Sequence, residues 1–348
     1  MINFCTLFNS NYLTRGIALN ESLQRVCASY HLYIVAFDDA CYEYLYNSGI
    51  PNITVILLSS FEDEKLLAIK PTRNAAEYCW TCTPSVLLFC MEQFNLPACT
   101  YIDADLLFYQ DPKILLDEMG EASVLITEHN YTGIYDVSAT HGKYCVQFMC
   151  FKNNRNGMAA LKWWRERCLE WCYDRLEDGK FGDQKYLDDW LTRFEGVHVL
   201  KHEGGGVAPW NIQQYSLVNK NDVLYTRNKK GQNLVPLIFY HFHGLKFYSN
   251  DMVACSGVLY EFTEDVKEQI YIPYIRQLIQ IEKKLKEEGI TWNVSGARSK
   301  APAKRAIFVQ YIKSLLLLIK SGKASSLDIK SFNFKNHYHF YNLKRFKE

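Results

Sequence analysis

Between Ile2 and Ile102 the chain alternates short apolar runs with longer stretches whose apolar residues recur at helical spacing. "INFCTLF", "HLYIVAF" and "ITVILLSS" read as strands, while "YLTRGIALNESLQRV" and "ACYEYLYNSG" read as helices, the second ending at Gly49. "AAEYCWTCTPSVLLFCMEQF" is expected to be helical despite Pro84 and leads into a strand over residues 99–102. Such alternation argues for an α/β fold, a parallel sheet with helices on both faces, and sheets of that kind collect ligands at the carboxyl ends of their strands. Asn9, after the first strand, and Asp103 are both expected at that edge.

"YIDADLLFYQDP" carries the chemistry of the edge. Extended backbone would put Asp103 and Asp105 on the same side, and two neighbouring carboxylates repel unless a cation lies between them. Mg²⁺ or Mn²⁺, which favour carboxylate oxygen, are the natural neutralisers. A bare D-x-D also serves in many proteins as a strand end that caps the next turn, so further residues must decide.

Beyond the D-x-D, "ASVLITE" and "YCVQFMCF" read as strands, and "GMAALKWWRERCLEWCYDRLEDG" as one long amphipathic helix. A Gly-rich loop, "HEGGGVAPWN", precedes "VPLIFYHFHG", expected to be a single buried strand with two histidines at its end. "EQIYIPYIRQLIQIEKKLKEEG" is helical by pattern and "NVSGARSKAPAK" is a linker by composition. Three regions are expected: an α/β domain over residues 1–260, a helical extension over 261–295 and a basic amphipathic tail over 296–348.

The 348 residues are 48% hydrophobic and 15% aromatic, ample for a packed core, and the net charge of +1 hides a strong asymmetry. Residues 296–348 hold 12 Lys/Arg against 2 Asp/Glu, which leaves 27 of the 39 basic and 36 of the 38 acidic residues elsewhere. The tail therefore has a job of its own: either an interfacial helix on an anionic membrane surface or a helix packed on the domain. The N-terminus lacks the basic start and apolar core of a signal peptide. Twelve scattered cysteines read as reduced thiols in a cytoplasm. A zinc site from Cys79, Cys82, Cys168 and Cys172 is conceivable, but their aromatic neighbours and helical spacing suit core packing better.

"HFHGLKF" is the second informative cluster. His241 and His243 share a face, Gly244 lets backbone approach an anion closely, and Lys246 offers an ammonium to a phosphate. In "FGDQKYLDDW", Asp183 and Gln184 follow a Gly turn and taken alone would read as a helix cap.

Taken together these segments resemble the family-8 glycosyltransferases and their bacterial relatives. The likeness covers about residues 1–250: Thr6, Leu7, Tyr12, Gly16, Ser22 and Leu23 match the family's opening, "YIDADLLF" its D-x-D, "GDQ" its D-Q pair and "HFHG" its H-x-x-G. The resemblance implies a GT-A (Rossmann-like) mixed sheet flanked by helices. It implies retaining transfer of a sugar from a nucleotide-diphosphate donor, expected to be a UDP-sugar, to a saccharide or lipid-linked saccharide. It makes Asp103, Asp105 and His241 the ligands of Mn²⁺ or Mg²⁺, and gives Asp183 and Gln184 roles beside the anomeric carbon. Donor contacts are expected from Thr6, Leu7, Asn9, Tyr12, Arg73, Asp103, Ala104, Gly244 and Lys246. This chain departs from the family at Gly244-Leu245-Lys246-Phe247, one residue shorter than G-x-x-K-P-W, and carries Gln147 near the family's small Asn-x-Gly residues. Other classes weighed are a HAD-like phosphotransferase, whose D-x-D usually sits near the chain start, and an inactive sugar-nucleotide-binding protein. No nucleic-acid partner is indicated.

Overall fold

The computed structural model describes residues 1–231, 233–257, 260–297, 299–320 and 334–346. Its strands are β1 (Ile2–Phe8), β2 (Tyr30–Ala36), β3 (Ile53–Leu57), β4 (Ala98–Ile102), β5 (Leu106–Phe108), β6 (Val124–Glu128), β7 (Tyr144–Lys152) and β8 (Val197–Val199), followed by β9 (Tyr215–Lys220), β10 (Val223–Asn228), β11 (Leu234–Pro236), β12 (Phe239–His241), β13 (Lys246–Tyr248), β14 (Met252–Ala254) and β15 (Phe340–Asn342). The longer helices are α1 (Leu13–Val26), α2 (Asp39–Asn47), α3 (Ala75–Gln93), α4 (Arg155–Glu170), α5 (Ile272–Glu287) and α6 (Lys304–Lys320).

Seven strands form one mixed sheet in the order β3-β2-β1-β4-β7-β6-β8, with β7 antiparallel to both neighbours. Alternation along β1 builds two cores. Phe4 and Phe8 pack with Leu19 and Leu23 of α1 and Ile275 of α5, whereas Cys5 and Leu7 pack with Val86 and Leu87 of α3 and Leu161 and Trp164 of α4. Helices thus cover both faces, each fully buried Leu, Ile or Phe contributing about 1.5–3 kcal/mol. The expected α/β architecture, a mixed sheet flanked by helices, is the one observed.

Several expected elements take a different form. The helix read through residue 179 stops at Glu170: Trp171 is extended, and its carbonyl accepts from the Tyr186 hydroxyl at 2.8 Å. The single strand read over 235–244 is split. Pro236 pairs with Tyr225 at the end of β11, where the flanking Leu237 amide donates to the Leu224 carbonyl at 2.8 Å, and Ile238 then changes partner to the Gly204 carbonyl at 2.8 Å before β12 pairs with β5. Pro84 lies inside α3 as expected. All twelve cysteines are free thiols, and Cys82, Cys168 and Cys172 sit in the apolar core with no metal-ligand grouping among the described residues.

Candidate functional site

β1, β2, β4 and β6 run parallel, so their carboxyl ends meet at one edge, and antiparallel β7 starts there. At that edge β4 ends at Ile102, and Asp103-Ala104-Asp105 forms a tight turn into β5, with the Leu106 amide donating to the Asp103 carbonyl at 3.2 Å. A turn, rather than strand alternation, therefore brings the two carboxylates together. β5 pairs antiparallel with β12, placing His241 opposite Leu106, and the Phe242 amide donates to the Asp105 carbonyl at 3.0 Å. Local pairing thus joins the D-x-D to a histidine more than a hundred residues away. His241 Nε2 lies 3.1 Å from Asp105 Oδ1 and 3.6 Å from Asp103 Oδ2.

One ligand atom from each of Asp103, Asp105 and His241 fits within a mutual spacing of 4.8 Å. Burial alone would raise the Asp105 carboxyl, but the His241 imidazolium overrides it and holds it down at about 2. Burial likewise opposes a charge on His241, and the Asp105 carboxylate nevertheless lifts its pKa well above the ordinary value. Asp103 is raised by burial, tempered by His241 and reinforced by Asp105. The cluster therefore demands a positive charge between its carboxylates. Two hard carboxylate oxygens and an imidazole nitrogen also form a donor set that suits a divalent ion.

Neighbouring residues hold this triad. The Tyr101 hydroxyl donates to Asp103 Oδ1 at 2.9 Å, and the Asp103 amide donates to the Gln147 carbonyl at 3.1 Å. His241 Nδ1 lies 2.7 Å from Gln147 Oε1. Arg15 is buried, donates to the carbonyls of Leu245 (3.0 Å) and Ser295 (3.1 Å), and adds positive potential at Asp105. Trp210 turns its ring edge-on to both His241 and His243 at centroid distances of 5.4 and 5.6 Å. Tyr101 was within reach of the sequence, two residues before Asp103 on the same face. Gln147, a lone amide in an apolar strand, carried a signal without a partner.

The remaining expected residues are placed as follows. Asp183 is buried behind the left-handed turn at Gly182, its carbonyl accepting from Trp164 Nε1 at 2.9 Å. Burial, then the nearby Asp103, push its carboxyl up to about 8. Gln184 donates to the His141 carbonyl at 2.7 Å. Thr6 and Leu7 are buried in β1, paired with Ile34 and Val35 of β2, whereas Asn9 is half-buried and Tyr12 is 40% exposed with Arg15 over its ring at 4.5 Å. Ala104 is buried. Gly244 has φ +75°, and a Cβ there would meet the Gly257 amide nitrogen at 3.0 Å. Lys246 opens β13 with an exposed side chain. The Arg73 guanidinium lies 3.9 Å over Tyr173 and donates to the Leu169 carbonyl.

No family model matches the chain. Over 284 residues it is 30% identical to the uncharacterized protein YfnD of Bacillus subtilis (strain 168), a match covering 79% of this chain and 88% of YfnD. The chain belongs to the YfnD family. The uncharacterized protein YfnF of the same organism is 32% identical over 254 residues, covering 71% of this chain and 82% of YfnF. Membership brings no activity with it. Among solved structures, the galactosyltransferase LgtC in complex with donor and acceptor sugar analogs superposes with a TM-score of 0.41 at 12% identity, covering 69% of this chain and 86% of LgtC. The bifunctional glycosyltransferase WbbM gives 0.39 at 17% identity, covering 57% of this chain and 38% of WbbM. Likeness of that degree fixes neither activity nor ligands.

Proposed function

We propose that the chain is a metal-dependent, retaining glycosyltransferase of family-8 type that moves a sugar from a nucleotide-diphosphate donor, expected to be a UDP-sugar, to a saccharide or lipid-linked saccharide. The observation that carries this reading is the convergence of Asp103, Asp105 and His241 at the carboxyl edge of the sheet. Mn²⁺ or Mg²⁺ bound there supplies Lewis-acid neutralisation of the diphosphate leaving group. As the glycosidic bond lengthens, negative charge grows on the leaving oxygen and positive charge on the anomeric carbon. Lys246 and the backbone at Gly244 would meet the first charge. Asp183 and Gln184 attend the second, positioning the acceptor or buffering the oxocarbenium character. Tyr12 stacks on the base, Asn9 and the backbone of Thr6 and Leu7 read its edge, Ala104 is a further donor contact, and Arg73 serves the base or the phosphates.

The tail belongs to the same reading. One face of α6 packs through Ile307 and Tyr311 against Ala254 and Phe340, while Phe308, Val309, Ile312, Leu316 and Ile319 are exposed on the helix that also carries Arg305 and Lys313. Among the described residues no helix is long and apolar enough to cross a membrane. An apolar face among cations suits the interface of an anionic bilayer, where a lipid-linked acceptor would be met.

The direct test is release of nucleotide diphosphate from a panel of UDP- and GDP-sugars with Mn²⁺ present. Asp105→Asn should keep the fold and lose turnover, since one preorganised group of this kind is worth about 3–4 kcal/mol in the transition state. Unchanged turnover in that variant, or full activity under excess chelator, overturns the proposal.

A further inference from the structure

An imidazole can ligate a metal through Nε2 only if its remaining proton sits on Nδ1, so the group facing Nδ1 decides whether the ring is ready. In this chain that group is Gln147 Oε1, 2.7 Å away. Gln147 is fully buried, and its own Nε2 finds no partner among the described residues. A buried amide that leaves its donor unsatisfied while spending its acceptor on one ring nitrogen is costly unless that contact matters. The space is also shaped for it: Gly206 has φ +98°, and a Cβ there would come 3.3 Å from Gln147 Nε2 and 2.8 Å from Thr127 Cγ2. The main chain of the same residue accepts from the Asp103 amide at 3.1 Å. Gln147 thus touches both arms of the cluster, the D-x-D turn by its backbone and the histidine by its side chain.

We infer that Gln147 is the positioning residue of the proposed metal centre: its Oε1 keeps the proton on His241 Nδ1 and so turns the Nε2 lone pair onto the site between Asp103 and Asp105. The inference rests on the metal-dependent reading above. The sulfur of Cys145, two residues earlier on β7, also reaches the His241 ring, but a thiol is a weak acceptor and leaves the amide as the group that sets the tautomer.

The experiment is titration of the full chain with Mn²⁺, followed by electron paramagnetic resonance of the free ion, alongside thermal melting without metal. Gln147→Leu removes the acceptor at similar volume and is expected to weaken Mn²⁺ binding by about 10- to 100-fold, the usual effect of losing an outer-shell partner. Gln147→Glu restores an acceptor to Nδ1 and should bind within a few-fold of the native chain; Cys145→Ala should do the same. If Gln147→Leu melts lower yet binds Mn²⁺ with native affinity, Gln147 is only a packing residue and the inference falls alone. Equal losses in Gln147→Leu and Gln147→Glu overturn it too, because acceptor chemistry would then be irrelevant. Absence of Mn²⁺ binding by the native chain overturns the metal reading and this inference with it.

Discussion

At the scale of single residues, the candidate site contains histidines in opposite environments. His241 is surrounded by carboxylates and His129 by apolar and aromatic groups, with Tyr131 stacked on it at 4.6 Å and Trp210 edge-on at 5.2 Å. Burial lowers the His129 pKa from 6.5 to about 3. The unfolded chain therefore binds a proton that the folded chain refuses between those values. The stability His129 confers is complete above about pH 6.5 and is lost as pH falls toward 3. At pH 4.5 that loss is about 2–3 kcal/mol. Urea midpoints at pH 7 and pH 4.5 should drop more for the native chain than for His129→Gln, and equal drops would show that His129 is not held neutral. A second comparison separates the paired histidines: His241→Ala should abolish metal-dependent turnover, while His243→Ala, at an exposed position, should keep most of it. A reversal would move the ligand to the other histidine. Asp103, Asp105 and His241 were legible in the sequence because residue type and local motif announce them. Gln147 was not, because its meaning lies in a hydrogen bond to a residue 94 positions away.

At the scale of elements, the N-terminal strands and helices were legible where periodicity is undisturbed, from β1 through α3. Reading failed where one residue redirects the chain. Ile238 turns from β10 to the Gly204 carbonyl inside an apolar run, and Trp171 leaves the helix although its neighbours continue the amphipathic pattern. The D-x-D turn was read as extended strand because its two acidic residues fit either geometry. Packing between elements depends on equally local details. Gly157 lies in the first turn of α4, where a Cβ would come 2.2 Å from the Lys152 carbonyl oxygen and 3.0 Å from that of Ser123. Both are backbone atoms with little freedom to move. Gly157→Ala should push α4 off the end of β7 and cost about 1–3 kcal/mol despite alanine's better helix propensity. An unchanged or raised urea midpoint in this variant would mean that the helix can shift without loss.

At the scale of the whole molecule, the charge asymmetry between residues 296–348 and the rest acquires a location. The tail is tied to the domain at several points: β15 pairs antiparallel with β14, Lys267 Nζ donates to the Lys335 carbonyl at 3.4 Å, and the Ser249 amide donates to the Ser299 carbonyl at 3.0 Å. Cutting the chain before the tail would strip these contacts as well as the exposed face of α6, so point substitutions isolate the surface better. In the proposed reading, Phe308, Ile312 and Leu316 enter the acyl boundary while cations of the same helix meet anionic head groups at about 1 kcal/mol each near the surface. The full chain should co-sediment with anionic liposomes at low salt and release as salt shortens the Debye length. Ile312→Ser, Leu316→Ser and Ile319→Ser combined should weaken that binding while leaving the melting temperature nearly unchanged, because these side chains are exposed and the packed face through Ile307 and Tyr311 is untouched. Equal co-sedimentation by the substituted chain, or none by the native chain even at low salt, removes the membrane from the reading and leaves α6 as a packed helix with solvated charges.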